Sequence, residues 1–193
     1  MSTGPSDAAA RSKVFDRSDF EWPLDACFRF LSVGRTVDVR DRSGRFRYVV
    51  AARGLLPSSE LEILDSQQHR LCTAALERGA PFETLYPLRS GGVLLGTLRF
   101  VLPHGGAKAI RQFIDADGVV HRFDAPANTW IARRSNGVPL LRLSRKAWSL
   151  RSRYVLEATA EATAGERALW LPAMLTLVMI MQVADPAVPQ SAG

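Results

Sequence analysis

The sequence predicts a mainly β fold, roughly twelve antiparallel strands closed into a barrel that encloses a hydrophobic C-terminal α-helix. Three observations predict it. From Leu24 onward, short runs of β-branched, aromatic and aliphatic residues recur between turn signals, as they do in all-β barrels and sandwiches. The turn signals place Gly or Asn-Gly where a hairpin needs positive φ. Finally, Ala168–Ala184 runs seventeen residues without a charge at the end of a chain that otherwise reads as strands. A helix apolar on every face must be buried somewhere.

Residues 1–23 mix Gly, Pro, Ser, Ala and charges with little periodicity and predict a flexible N-terminal arm. The barrel domain is expected over 24–185, with a flexible tail over 186–193. Twelve runs are expected as strands: Ala26–Ser32, Thr36–Arg40, Phe46–Arg53, Leu61–Leu64, Arg70–Leu76, Phe82–Leu88, Val93–Val101, Lys108–Asp115, Val119–Asp124, Thr129–Arg134, Pro139–Arg145 and Tyr154–Thr159. Arg42-Ser-Gly44, Ser90-Gly-Gly92, Asp115-Ala-Asp-Gly118 and Ser135-Asn-Gly137 lie between apolar runs, so neighbouring strands pair antiparallel. Within Val93–Phe100, Thr97 and Arg99 alternate with Leu98 and Phe100, the pattern of a half-buried strand. An open sheet of twelve strands would leave pairing-competent edges, and closure removes them. A barrel of that size needs something apolar in its lumen.

The terminal helix, expected over about 166–183, meets that need. Its apolar stretch covers about 24–27 Å, short of the roughly 30 Å of a bilayer's hydrocarbon. Burying Leu169, Leu171, Met174, Leu175, Leu177, Val178, Met179, Ile180 and Met181 contributes on the order of 15–25 kcal/mol gross. Pro172 is tolerated if the regular helix starts near Leu171, because the first turn has no intrahelical partner for its N–H groups. The alternatives are a tail anchor and an ordinary packed helix.

The 193 residues are 47% hydrophobic, enough for one sizeable core. The formal charge is +6, and 22 of the 25 basic residues are Arg, whose guanidinium suits phosphate and carboxylate. A GC-rich coding genome explains the same richness in Arg and Ala. Cys27 and Cys72 are too few for a disulfide scaffold and lack a CxxC spacing. Met1–Lys13 has no signal-peptide core. The expected location is the cytoplasm, peripheral to the inner face of the membrane if lipid is the ligand.

The order of several short pieces resembles the tubby-like C-terminal barrels, specifically the LURP-one-related and phospholipid-scramblase branch. The pieces are Tyr48-Val-Val50, Leu61-Glu-Ile-Leu-Asp65 followed by a turn, Leu85-Tyr-Pro-Leu88, Val93-Leu-Leu-Gly96, Phe113-Ile-Asp-Ala-Asp-Gly118 and Trp130 ahead of Asn136-Gly137. Leu143-Ser-Arg-Lys146, Tyr154-Val-Leu156 and the apolar helix closing on Asp185 complete the set. The resemblance implies a twelve-stranded barrel around a hydrophobic helix. It also implies association with membranes or phosphoinositide head groups, without an assigned chemistry for the LURP-one-related members. The chain departs from scramblases in lacking a Pro-rich N-terminal region and a palmitoylation-type cysteine cluster. In place of an acidic Ca²⁺ segment before the helix, Glu161-Ala-Thr-Ala-Gly-Glu166 supplies two carboxylates.

The strongest functional signal is electrostatic. From Ala125 to Leu156 there is no acidic residue, and the segment holds Arg133, Arg134, Arg142, Arg145, Lys146, Arg151 and Arg153. On adjacent strands these seven are expected to form one basic face that binds anionic phospholipid, with Trp148 as an interfacial anchor. A merely solvated face has the same composition. A second group, Arg29, Arg35, Arg40, Arg42, Arg45, Arg47 and Arg53, is diluted by Asp38 and Asp41. Nucleic acid is disfavoured because Trp130 and Trp148 are the only aromatics before Tyr154 in the acid-free segment, and Trp130 is expected in the core.

No enzyme, cofactor or metal is expected. His69, His104 and His121 lack metal spacing and read as surface or loop residues. His104-Gly-Gly-Ala-Lys108 has the glycines of an oxyanion loop but no accompanying Gly-x-Ser-x-Gly. Asp115-Ala-Asp-Gly118 places its Gly wrongly for an EF-hand and reads as a turn. Both cysteines read as small buried hydrophobes. The readings carried forward are an anionic-lipid-binding module, a structural or protein-interaction module with incidental charge, and a membrane-anchored protein.

Overall fold

The computed structural model describes residues 15, 21–29, 35–53, 60–101, 110–124, 129–146 and 153–184. Thirteen strands are present: β1 (Leu24–Phe28), β2 (Thr36–Arg40), β3 (Phe46–Arg53), β4 (Glu60–Asp65), β5 (Arg70–Ala74), β6 (Glu77–Arg78), β7 (Glu83–Ser90), β8 (Val93–Val101), β9 (Ile110–Asp115), β10 (Val120–Asp124), β11 (Thr129–Arg133), β12 (Pro139–Arg145) and β13 (Arg153–Ala158). Each pairs antiparallel with its neighbour, β1 pairs β13, and β5 pairs β7 through Thr73–Arg89 and Ala74–Leu88. Twelve strands therefore close a ring. The two-residue β6 continues the track of β5 along β7. It is too short for periodicity to reveal, which is why twelve runs and not thirteen are legible.

Alternation sets the lumen. Across β1, β2 and β3 the registered positions Ala26, Val39 and Tyr48 are all buried, and so are Leu98 and Phe113 across β8 and β9. Gly96 faces inward where the Phe113 ring passes; a Cβ there would stand 2.5 Å from that ring and 2.8 Å from the Ile114 carbonyl.

The helix α1 (Ala164–Ala184) fills this lumen, touching β3, β4, β8, β12 and β13 on different sides of the ring. Leu171 and the run Ala173–Met179 are at most 1% exposed. Ala164–Met181 is long and apolar enough to cross a membrane, but 61% of that stretch is buried within the barrel, as a plug requires. The helix starts earlier than the sequence predicted. Thr163 and Glu166 form a reciprocal cap: the Glu166 N–H donates to Thr163 Oγ1 at 3.2 Å, and the Thr163 N–H donates to Glu166 Oε2 at 2.9 Å. Pro172 thus sits in the helix interior and not in its first turn, leaving the Ala168 carbonyl without a helical donor. Burial of the surrounding apolar side chains outweighs that loss.

The strand directions sort the connections. At one end, the turn end, lie the tight turns after β2, β4, β7, β9 and β11 and the entry to α1. At the other, the loop end, lie the connections after β1, β3, β5 and β6, β8, β10 and β12.

Four turn-end hairpins share one geometry: Asp41–Arg45, Asp65–His69, Asp115–Val119 and Arg134–Val138. In each, the first N–H donates to the fifth carbonyl at 2.9–3.1 Å and the fourth N–H to the first carbonyl at 2.8–3.1 Å. The fourth residue has positive φ: Gly44 (81°), Gln68 (66°), Gly118 (81°) and Gly137 (87°). The glycines are the signals read above. Gln68 offers no such signal, so that turn follows only from the resemblance.

Within the stretch read as an arm, Phe15 is buried with its ring 6.0 Å from that of Tyr48, and Trp22 packs on the core. Residues 1–14, the tail 186–193, His104, Trp148 and Arg151 lie outside the described residues.

Candidate functional site

Of the seven cations of the acid-free segment, the six that are described do not share one face. Arg133 closes β11 at the turn end and donates from Nη1 to the Gly137 carbonyl at 2.9 Å. Arg134, beside it, grips the first turn of α1 by donating Nε and Nη2 to the two Glu166 oxygens at 2.7 and 2.9 Å. Glu166 in turn has its carboxyl held at about 2, chiefly by Arg134. Arg142 lies exposed midway along β12, opposite Glu157 of β13. Arg153 forks onto Asp25 of β1 at 2.8 and 2.5 Å. Arg145 ends β12 opposite buried Tyr154, and exposed Lys146 follows, its N–H donating to the Arg153 carbonyl at 2.8 Å. Six residues of β12 separate the partner of Arg133 from Arg145, about 20 Å of extended chain. Charge counted along the segment misses this division, because the acids that answer it, Asp25, Glu157 and Glu166, come from outside.

Of the second basic group, Arg29, Arg40, Arg47 and Arg53 are likewise engaged. Arg29 pairs Asp38 at 2.7 Å, Arg47 pairs buried Asp41 at 2.7 Å, and Arg53 and Arg70 converge on Glu62, which is 1% exposed. Arg40 donates to the Gly44 carbonyl at 3.1 Å with its guanidinium 5.7 Å above the Phe46 ring.

Three turn-end hairpins begin with an aspartate that organises its own turn. Asp41 Oδ1 accepts from the Ser43 hydroxyl and the Arg45 N–H at 2.6 and 3.0 Å. Asp65 Oδ1 accepts from the N–H groups of Gln67 and His69 at 2.8 and 2.9 Å, and Asp115 Oδ1 from those of Asp117 and Val119 at 3.0 and 2.9 Å. Burial pushes the Asp41 carboxyl up, but the bonds from Ser43, Arg47 and Arg45 outweigh it and hold it at about 2. The Asp65 carboxyl is lowered by the same balance.

The remaining Asp115 oxygen takes His121 Nε2 at 2.9 Å. His121 is a correction to the surface or loop position read from sequence. It alternates inward with Phe123 on β10, stacks on Phe113 and meets the edge of Trp170 at 5.2 Å between ring centroids. Trp170 also packs on Phe113 and Phe123, each at 5.1 Å. The reach of a helix residue to β9 and β10 is a tertiary fact that spacing along the chain does not encode.

Among the described residues, no three His, Cys, Asp or Glu side chains are grouped to hold a metal ion. Burial pushes the Cys72 thiol up to about 12, which leaves it a packing residue, while Cys27 is half-buried.

The turn end therefore carries the carboxylates Asp41, Asp65, Asp115, Asp117, Glu161 and Glu166. At the loop end the sequence between strands contains no Asp or Glu in residues 30–34, 54–59, 102–109, 125–128 and 147–152, while Arg35, Arg53, Arg111, Arg145 and Lys146 stand on the strand ends there. The same strand ends also carry the acids Glu60, Glu83 and Asp124, and the β5–β7 connection brings in Glu77.

The fold defines the class: a closed twelve-stranded antiparallel barrel around a central helix. No family model matches the chain, and no curated protein matches it. A crystal structure of a protein from Arabidopsis thaliana is similar at 14% identity, covering 86% of this chain and 94% of that one, with a TM-score of 0.49.

Proposed function

We propose that the protein is a non-enzymatic binding module that docks on anionic phospholipid surfaces with the loop end of its barrel. The observation that carries this reading is the division of charge between the two ends. The tight turns mix their acids with Arg42, Arg45, Arg133 and Arg134, whereas the loop-end strand ends carry Arg35, Arg53, Arg111, Arg145 and Lys146 against Glu60, Glu83 and Asp124, and the sequence connecting them adds almost no acid. Such a surface is drawn to an anionic bilayer by about 1 kcal/mol per cation. The resemblance to the LURP-one-related and scramblase branch supports the same class of ligand. Of the seven residues picked out in the sequence, Arg145, Lys146 and Arg153 belong with the loop end, Arg133 and Arg134 do not, and Arg151 lies outside the described residues. Cytoplasmic residence at the inner face of a membrane goes with this proposal.

The test is co-sedimentation with neutral and phosphatidylserine-containing vesicles across a salt series. Binding is expected to require the anionic lipid and to weaken with salt. Arg145→Gln with Lys146→Gln should reduce it about thirtyfold at low salt. Arg42→Gln with Arg45→Gln removes the same charge from the turn end and should leave binding within about twofold. Equal effects of the two doubles would sink the proposal, as would a wild type that ignores vesicles, and salt-resistant binding to neutral lipid would point to helix insertion.

A further inference from the structure

Two inward-facing layers cross β7, β8 and β9, because residues in register on neighbouring strands point to the same side of the sheet. Tyr86, Leu98 and Phe113 make one layer, and Leu98 and Phe113 are wholly buried. The next layer toward the loop end is Thr84, Phe100 and Arg111, all half-buried. Tyr86 and Phe100 pack on the core and meet edge to face, their ring centroids 5.9 Å apart. One aromatic floor is thus flanked by three polar groups: the Thr84 hydroxyl, the Tyr86 hydroxyl and the Arg111 guanidinium.

None of the three has a hydrogen-bond or ion-pair partner among the described residues, and all remain reachable from solvent. A half-buried guanidinium without a counter-ion has lost part of its hydration with nothing in return. Arg47, Arg99, Arg134 and Arg153, equally half-buried, are each held by a carboxylate. The carbonyl end of α1 does not fill that role for Arg111. Trp170 meets Phe113, and from that level Ala184 lies about 21 Å further along the helix whereas Arg111 lies about 7 Å further along β9. A helix dipole acts only within its last turn. Burial raises the Tyr86 phenol above its ordinary range, which keeps it protonated and able to donate.

We propose that Arg111, Thr84 and Tyr86 form a subsite for the terminal phosphate of a phosphomonoester lipid such as phosphatidic acid, with Phe100 as its apolar floor. The guanidinium offers two parallel donors to two phosphate oxygens, and the hydroxyls donate to the third. The phosphodiester of phosphatidylserine has only two free oxygens and leaves that set incomplete. This inference rests on the membrane-docking reading above and adds the headgroup chemistry that the loop end selects. The surrounding cations attract any anionic bilayer, whereas the subsite distinguishes one from another.

The experiment compares co-sedimentation with phosphatidic acid and phosphatidylserine vesicles matched in surface potential, for wild type, Arg111→Lys, Tyr86→Phe and Thr84→Val. Each substitution keeps the net charge and nearly the shape, so long-range attraction is unchanged, and circular dichroism checks the fold. The wild type is expected to bind phosphatidic acid about tenfold more tightly than phosphatidylserine. Arg111→Lys should abolish that preference, and each hydroxyl variant should reduce it about threefold, while affinity for phosphatidylserine stays within about twofold. Equal binding of the two lipids by the wild type, or a preference that survives all three substitutions, would overturn the subsite and leave the electrostatic reading standing. A wild type that ignores both vesicles but takes up glycerol 3-phosphate in calorimetry, with the uptake lost in Arg111→Lys, would assign the subsite to a soluble phosphate ester and overturn the lipid as its source. Absence of binding to vesicles and to glycerol 3-phosphate would remove both the subsite and the docking reading.

Discussion

At the turn end of the barrel, connections of two to five residues are tied down by their own side chains: Asp41, Asp65 and Asp115 each fold a hairpin around one carboxylate oxygen and use the other to hold Arg47, His69 or His121. At the loop end several connections are longer, up to the eight residues 102–109, their sequence is nearly free of acid, and they include an exposed Phe82 in a position that suits Gly. Both ends hold polar groups in internal pairs, Arg53 with Glu62 and Arg153 with Asp25 at the loop end among them, but among the described residues only the turn end folds its hairpins around buried or half-buried aspartates. The turn end is shaped by the demands of folding, and the loop end is where the proposed binding surface lies.

The sharpest way to break that comparison is to damage each end and compare the effects. Trp170, 1% exposed, joins the plug to Phe113, Phe123 and His121, so Trp170→Ala should cost about 3–5 kcal/mol in denaturant unfolding. Lys146→Gln at the loop end should change stability by no more than about 0.5 kcal/mol. A Trp170 variant as stable as wild type would mean that the helix does not anchor this end. Gly96→Ala comes next. The added methyl meets both the Phe113 ring and the Ile114 carbonyl, so a loss of about 1–3 kcal/mol is expected, with the fold retained by circular dichroism.

Much of the fold is legible because it rests on local signals. Alternation in Val93–Val101 and Pro139–Arg145 matches the strands to the residue, and Gly44, Gly118 and Gly137 mark their hairpins through positive φ. The seventeen uncharged residues announce a buried helix, although its true start is set by the Thr163–Glu166 cap, which lies among polar residues that carry no apolar period. The site is much less legible. Arg134 and Glu166 are 32 residues apart and Arg153 and Asp25 are 128 apart, so no count of local charge shows that these cations are already paired. Phe82 reads from sequence as the start of a strand, whereas β7 begins at Glu83. An aromatic next to an apolar run reads as strand, and only the observed φ reveals a turn that an ordinary sequence would have marked with Gly.

The last contrast concerns acid. Asp41 is buried at the turn end with its carboxyl held at about 2 against an ordinary value of 3.8, and Glu166 is held at about 2 against 4.5. A carboxyl whose value is lowered by folding binds fewer protons in the native state, so it adds stability that is complete above the ordinary value and is lost as pH falls toward the lowered one. Stability should therefore drop between about pH 4.5 and 2, with unfolding starting at the turn end. For Asp41 the difference is worth about 2 kcal/mol. Asp41→Asn should show that deficit in urea at pH 7 and a shallower decline between pH 4 and 2. If the wild type and Asp41→Asn lose stability in parallel over that window, the Asp41 hairpin is not what holds the turn end, and the division between the two ends rests on the helix alone.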